Sequence, residues 1–352
     1  MDEGPVFIVG SMRSGSTMLR LILDSHPRIA IGAETGFMGA LLANRRIPGW
    51  KHGAEWFGRI GWSADELDAR LREFYGGMFL RHAQSQGKVR WGDKTPFHTS
   101  HIPEMAEVFP DAAFVGIVRH PGAVAASLHR SFHYAFDEAV GYWCDVNRQM
   151  LVAAGELGDR FTMCRYEDLV SGSERVLREL MPAIGEEFDD ALLRHHEVQR
   201  AQGAPKLTDG STSSRDPIDA RRAERWADEI TPEQLLTLAE AVPIAAALGY
   251  TATGTGAFPA GAHEWTASGT ELAGLFAGQP ALLDGGGGTP LDLDADPAEL
   301  ARRLVQVEAA LARTRGRRAV RLADAARRVQ HGRTWADVKA ASAMLRRDGR
   351  AR

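Results

Sequence analysis

The apolar residues of this chain fall into short unbroken runs, separated by stretches with helical spacing. Pro5-Val6-Phe7-Ile8-Val9 and Ala113-Phe114-Val115-Gly116-Ile117-Val118 are runs of mostly β-favouring residues. A run of this length without polar alternation predicts a strand covered on both faces. The segment from Val89 and the segment Arg160–Arg165 read as two further strands, and Ile29-Ala30-Ile31-Gly32 as a short extended piece. Between them, Leu19, Leu21, Ile22 and Leu23 continue the first run as a helix. That helix should end near His26-Pro27, because proline disfavours the helical region at the residue before it. Ile102 to Phe109 suits a helix, and Pro121 at a first helical position opens the next, which carries through Ser127. Phe136 to Leu157, the segment after Tyr166, and Ala220 through Ala247 are also read as helical. Alternating strands and helices predict an α/β fold, a central parallel sheet with helices on both faces. In such a sheet ligands bind at the carboxyl ends of the strands. Arg13, Lys94, Arg119 and Tyr166 all fall just after predicted strand ends.

Two regions fit this alternation less well. From Phe37 to Lys88 the pattern is helical but irregular and rich in rings: Trp50, Trp56, Phe57, Trp62, Phe74, Tyr75 and Phe79. Most of these are expected in the core, with the alternative that some wall an acceptor pocket. Past Tyr250 the composition shifts. Residues 251–295 are rich in Gly, Ala and Thr, include Gly285-Gly286-Gly287-Gly288, and read as a linker. Asp296-Pro297-Ala298-Glu299 then has the form of a capped helix start. Arg and Lys outnumber acids fifteen to four from Ala301 to Arg352. The expected organisation is a core domain over 1–250, a Gly-rich linker over 251–295 and a basic helical extension over 296–352. The extension is read as packing on the core or on another subunit, which leaves a homo-oligomer through these helices open.

Composition narrows the function classes. The net charge of −4 argues against a general nucleic-acid binder. With Cys144 and Cys164 as its two cysteines, the chain has neither a disulfide framework nor a cysteine metal cluster. The acidic start and the short apolar run after it do not resemble a signal peptide, and no apolar segment reaches membrane-spanning length. A cytoplasmic protein without a membrane span is the expectation.

The candidate chemistry begins at Gly10-Ser11-Met12-Arg13-Ser14-Gly15-Ser16-Thr17. A strand, a loop of small residues and a helix turn backbone N–H groups and the positive helix end toward an anion. The two glycines have P-loop spacing, giving a P-loop-like three-layer sandwich as the expected fold. Ser16, however, stands where nucleotide hydrolases carry their lysine. Arg13 is the loop's side-chain cation, so the loop reads as a phosphate site without the Mg-nucleotide machinery.

Arg13-Ser14-Gly15-Ser16-Thr17 occurs together with Gly32-Ala33-Glu34-Thr35, with Asp93-Lys94-Thr95-Pro96, and with Arg119 and Ser127 separated by seven residues. This set resembles the sulfotransferases that use 3′-phosphoadenosine 5′-phosphosulfate (PAPS), in particular the branch holding tyrosylprotein sulfotransferases and many bacterial members. The likeness spans about residues 5 to 250. It implies that Arg13, Ser14, Gly15, Ser16 and Thr17 hold the 5′-phosphosulfate and that Arg119 and Ser127 grip the 3′-phosphate. It also implies Glu34 as general base, Arg13 and Lys94 as electrostatic stabilisers, and direct in-line transfer without a metal. These roles agree with the chemistry: a hydroxyl acceptor needs a base, and the charge on the transferring and leaving groups needs cations. Weaker matches are Tyr166 near the adenosine, and Ser211 and Arg225 as residues that close over the donor. His26 and His120 are read as structural, and His98, His129 and His133 as alternative bases should Glu34 be misplaced.

The resulting expectation is a PAPS-dependent sulfotransferase acting on a hydroxyl of a carbohydrate or other small metabolite. The alternatives are a P-loop small-molecule kinase and a non-catalytic binding protein on the same scaffold.

Overall fold

The structure is a computed structural model that describes residues 4–50, 52–201, 208–209, 212–213, 217–223, 225–250 and 266–268. Its centre is a sheet built from β1 (Val6–Val9), β2 (Ile29–Ile31), β3 (Arg90–Lys94), β4 (Ala113–Val118) and β5 (Phe161–Arg165), all parallel. In register, Val6 of β1 lies opposite Gly92 on one side and Ala113 on the other. Two further short strands, β6 (Thr208–Asp209) and β7 (Thr212–Ser213), form a separate antiparallel pair. A last strand, β8 (Thr266–Ser268), joins the main sheet antiparallel to β5. The sheet order is therefore β2-β3-β1-β4-β5-β8. β8 is the described part of the segment 251–295 that was expected to be linker. The chain divides into two compact units, Met1–Gly286 and Gly287–Arg352. The expected helical extension over 296–352 lies outside the described residues.

The period of two along each strand sorts side chains to the two faces. Phe7 and Val9 of β1, Phe114 and Val118 of β4, and Phe161 and Met163 of β5 enter one apolar cluster. Val6, Ile8, Val115, Ile117 and Cys164 enter the other. The first cluster is covered by α4 (Ala64–Ser85), α5 (Ile102–Val108), α6 (Pro121–Phe132) and α7 (Phe136–Leu157). The second is covered by α1 (Ser16–Asp24), α8 (Tyr166–Ser171) and α9 (Ser173–Ala183). This is the predicted three-layer α/β sandwich. Such burial is what drives the fold, at about 25 cal/mol per Å² of apolar surface removed from water.

The segment before α4 departs from the expectation. It forms α2 (Phe37–Arg45) and the short α3 (Gly53–Arg59), and most of its rings stay outside the core. Trp50 is 74% exposed and Trp56 60%, with Trp62 and Phe74 exposed as well, whereas Tyr75 and Phe79 are buried. The reason is geometric: α4 presents one face to the sheet, and Tyr75 and Phe79, four residues apart, share that face. The stretch 220–247 is likewise broken, into short helical turns rather than one helix.

Candidate active site

The loop between β1 and α1 is held in shape from several sides. Gly15 is the N-cap of α1 in the left-handed region, at φ 98°. A Cβ there would lie 2.4 Å from the Tyr166 ring, so glycine is required both by conformation and by this close approach. Arg13 also has positive φ, at 68°, which costs about 1 kcal/mol for a residue with a Cβ. Its backbone is fastened by Arg119 Nη1, which donates to the Arg13 carbonyl at 3.3 Å, and its side chain by Nε, which donates to Ser127 Oγ at 2.8 Å. The Met12 N–H donates to the Tyr142 hydroxyl of α7 at 3.0 Å. Burial pushes that phenol up to about 12, so it stays neutral. At the start of the loop, the Gly10 N–H donates to Thr99 Oγ1 at 2.8 Å.

The other expected residues come to the same place. Lys94 closes β3, and its Nζ lies 3.2 Å from Thr17 Oγ1 and forms an ion pair with the Glu34 carboxylate. Lys94 is buried, while the Glu34 side chain is 50% exposed. Glu34 is not a helix cap: α2 begins at Phe37, with Gly36 as its N-cap and no side-chain cap hydrogen bond. Beneath Lys94, Asp93 accepts the Lys94 N–H at 2.9 Å and faces His98 Nε2 at 2.8 Å. His98 is buried and does not border the cavity described below. His129 Nδ1 lies 2.7 Å from the Tyr134 carbonyl, and neither His129 nor His133 borders the cavity described below.

At the other end, the Arg119 guanidinium stacks over the Tyr166 ring at 4.3 Å. Ser127 is buried on α6, two turns after Pro121. His120 accepts the Gly122 N–H through Nδ1 at 3.1 Å and stacks on Trp226 with centroids 4.0 Å apart. Its structural role agrees with expectation. Behind it, Glu167 Oε1 accepts the His120 N–H at 3.0 Å and Oε2 accepts from the Tyr250 hydroxyl at 2.9 Å. Burial raises the Glu167 carboxyl above its ordinary value, against the opposing pull of the His120 N–H and Arg119.

These groups open onto one cavity of about 970 Å³. Its wall carries the cations Arg13, Arg20, Lys94, Arg119, Arg130 and Arg225 against the carboxylates Glu34 and Glu229. Gly15, Ser16, Thr17, Ser127 and Tyr166 also border it. Ser14 does not: its N–H and hydroxyl both turn to the Ser11 carbonyl, at 3.2 and 2.7 Å, and close the loop instead. Ser211 lies outside the described residues. Arg225 is at the rim, 3.8 Å from Glu229, which also pairs with Arg130. None of the rings from Trp50 to Phe79 borders the cavity, whose aromatic wall is Phe132, Tyr166 and Trp226. Among the described residues, no group of three or more His, Cys, Asp or Glu is placed to hold a metal ion, and no helix is long and apolar enough to cross a membrane.

The excess of cations, with backbone donors at a helix N-terminus, suits an anionic ligand. Residues 5–190 match the model of the sulfotransferase family. The chain belongs to that family. Among similar curated proteins, protein-tyrosine sulfotransferase 1 of Danio rerio is 26% identical over 71% of this chain and 73% of its own length. Protein-tyrosine sulfotransferase 2 of Gallus gallus is 27% identical over 70% and 69%. Among solved structures, the sulfotransferase domain from the Synechococcus PCC 7002 olefin synthase has 26% identity and a TM-score of 0.49, covering 68% of this chain and 94% of that one. This sulfotransferase contains cavity residues that the sequence pattern left unassigned: Arg20, Arg130, Trp226 and Glu229. A signal existed for Arg20, a lone charge between Leu19 and Leu21 in an apolar helix.

Proposed function

We propose that this sulfotransferase uses PAPS as donor and a hydroxyl of a carbohydrate or other small metabolite as acceptor, with Glu34 as general base. The observation that carries the reading is the meeting of Arg13, Glu34, Lys94, Arg119 and Ser127 on one cavity. Arg119 and Ser127 would hold the 3′-phosphate, and Arg13, Gly15, Ser16 and Thr17 the 5′-phosphosulfate, with Tyr166 beside the adenosine and Arg225 at the rim. The donor supplies an activated sulfuryl group, and the chain's own residues orient it and handle charge. Glu34 accepts the hydroxyl proton of the acceptor as the oxygen attacks. Lys94, next to both Glu34 and Thr17, neutralises the sulfuryl oxygens, and Arg13 meets the charge left on the phosphate. A volume of about 970 Å³ is near the top of the ~300–1,000 Å³ range for single-ligand pockets. It therefore suits a donor together with a compact acceptor. The similarity to protein-tyrosine sulfotransferases supports a second reading, a tyrosyl hydroxyl in a peptide.

The test is calorimetric titration with adenosine 3′,5′-bisphosphate, the desulfated donor. One-site binding that Ser127→Ala weakens is expected, and absence of binding would overturn the proposal. Turnover of small hydroxylated acceptors against a tyrosine-containing peptide then separates the two acceptor classes.

A further inference from the structure

Two cations of the cavity, Arg20 and Arg130, have no task in the donor site, and Arg130 is paired with Glu229. Arg20 lies one turn past Thr17 on α1, in a stretch whose neighbours Leu19, Leu21, Ile22 and Leu23 are all absorbed by the core. It is 5% exposed, yet it borders the cavity. Its Nη1 donates to the Ile31 carbonyl at 2.8 Å, and among the described residues this is its hydrogen-bond acceptor. A guanidinium has five N–H donors in a planar fork, so most of its capacity is unspent. Burying a cation in this way is unfavourable unless something completes its partners.

The neighbouring carboxylates do not complete them. Asp24 Oδ1 accepts the Ile31 N–H and Oδ2 accepts from Gln199 Nε2, both at 2.8 Å, and Lys88 Nζ lies 3.7 Å from Oδ1. Glu34 is paired with Lys94. Both acids oppose the lowering that burial imposes on the Arg20 guanidinium, but only through space.

Position in the cavity decides which ligand Arg20 would meet. Arg13, Arg119, Ser127 and Tyr166 are tied to one another at the donor end. Arg20 is tied instead to Ile31 at the end of β2, three residues before Glu34. It is also close enough to Glu34 for the two charges to interact. We infer that Arg20 anchors a carboxylate on the acceptor, next to the hydroxyl that is sulfated; the inference rests on the donor and base roles proposed above. Arg20 and Lys94 against Glu34 leave one net positive charge at this end. That charge suits a singly charged, planar carboxylate, which a guanidinium fork grips through two parallel bonds. A dianionic phosphate would face Glu34 with too little positive charge to offset it.

The experiment uses the full chain saturated with adenosine 3′,5′-bisphosphate, titrated separately with benzoate and with benzamide. Benzoate is expected to bind at least tenfold more tightly. Arg20→Met should abolish that preference and Arg20→Lys should retain part of it, with bisphosphate affinity equal in all three proteins. Equal binding of benzoate and benzamide beside a bound bisphosphate would overturn this inference alone, as would a preference that survives in Arg20→Met. Loss of bisphosphate affinity in Arg20→Met would move Arg20 to the donor half and overturn it too. If the unmodified protein bound no bisphosphate, the donor reading itself would fall.

Discussion

Lys94 and Glu34 form an ion pair across the cavity, one from the end of β3 and one from the loop after β2, with Thr17 3.2 Å from the same Lys94 amine. The buried cation thus touches both the proposed base and the first turn of the anion-binding helix. A ligand that draws on Lys94 would loosen its hold on Glu34, so the base and the stabiliser act as a coupled pair.

Replacing Glu34 with Gln keeps the side chain's shape and removes its capacity to take a proton. Bisphosphate affinity should be unchanged, while turnover falls by ~10²-fold or more, the range for loss of a general base. Steady-state turnover combined with calorimetry checks both halves. Undiminished turnover would take Glu34 out of the mechanism.

Ser127 carries a different expectation, because it receives Arg13 Nε at 2.8 Å and lies on the Arg119 side. Ser127→Ala removes one hydrogen bond to a charged partner, worth about 1.5–3 kcal/mol. Bisphosphate should bind roughly tenfold more weakly or worse, and the dissociation constant reads this directly. Wild-type affinity in the variant would show that Ser127 supports Arg13 without meeting the ligand.

Gly15→Ala tests the shape of the loop. The new Cβ would meet the Tyr166 ring at 2.4 Å from a backbone at φ 98°. Conformational strain and overpacking each cost about 1 kcal/mol or more. The loop and Tyr166 must then separate, so melting temperature and bisphosphate affinity should fall together. An unshifted melting curve with full affinity would contradict this account.

The parts of the molecule that were legible in the chain are those set by local pattern. β1 and β4 are short apolar runs, which burial on both faces makes legible as strands, whereas β3 carries Arg90, Asp93 and Lys94. Lys94, Arg119 and Tyr166 could be placed on one cavity because ligands in a parallel sheet bind at the carboxyl ends of the strands. What the pattern hid depends on partners far along the chain. Ser14 looks like any loop hydroxyl until the turn back to Ser11 consumes it. Trp226 becomes a cavity wall only by stacking on His120 against Gly122, where a Cβ would lie 2.3 Å from the indole. Trp50 and Trp56 are exposed where core positions were expected, because hydrophobicity alone does not say which face of an irregular helical segment meets the sheet. β8 pairs through its backbone with β5, a contact that three polar and small residues do not announce.

His195 gives a pH dependence unconnected with catalysis. Its ring is buried at the start of α10 (His195–Ala201), and burial together with nearby His196 pushes it down to about 4 from its ordinary 6.5. The neutral ring is the form the fold accepts. Above pH 6.5 both folded and unfolded chains leave it neutral, and its full contribution is present. As pH falls, the unfolded chain takes up the proton first, so stability declines through the window from 6.5 toward about 4. At 1.36 kcal/mol per unit of difference, about 2 kcal/mol should be lost between pH 7 and pH 5. Urea denaturation of the unmodified protein and of His195→Leu at both pH values isolates this share, because Leu cannot bind the proton. The variant should lose about 2 kcal/mol less than the unmodified chain over that interval. Identical losses in the two proteins would mean that His195 is protonated in the fold as readily as in the unfolded chain.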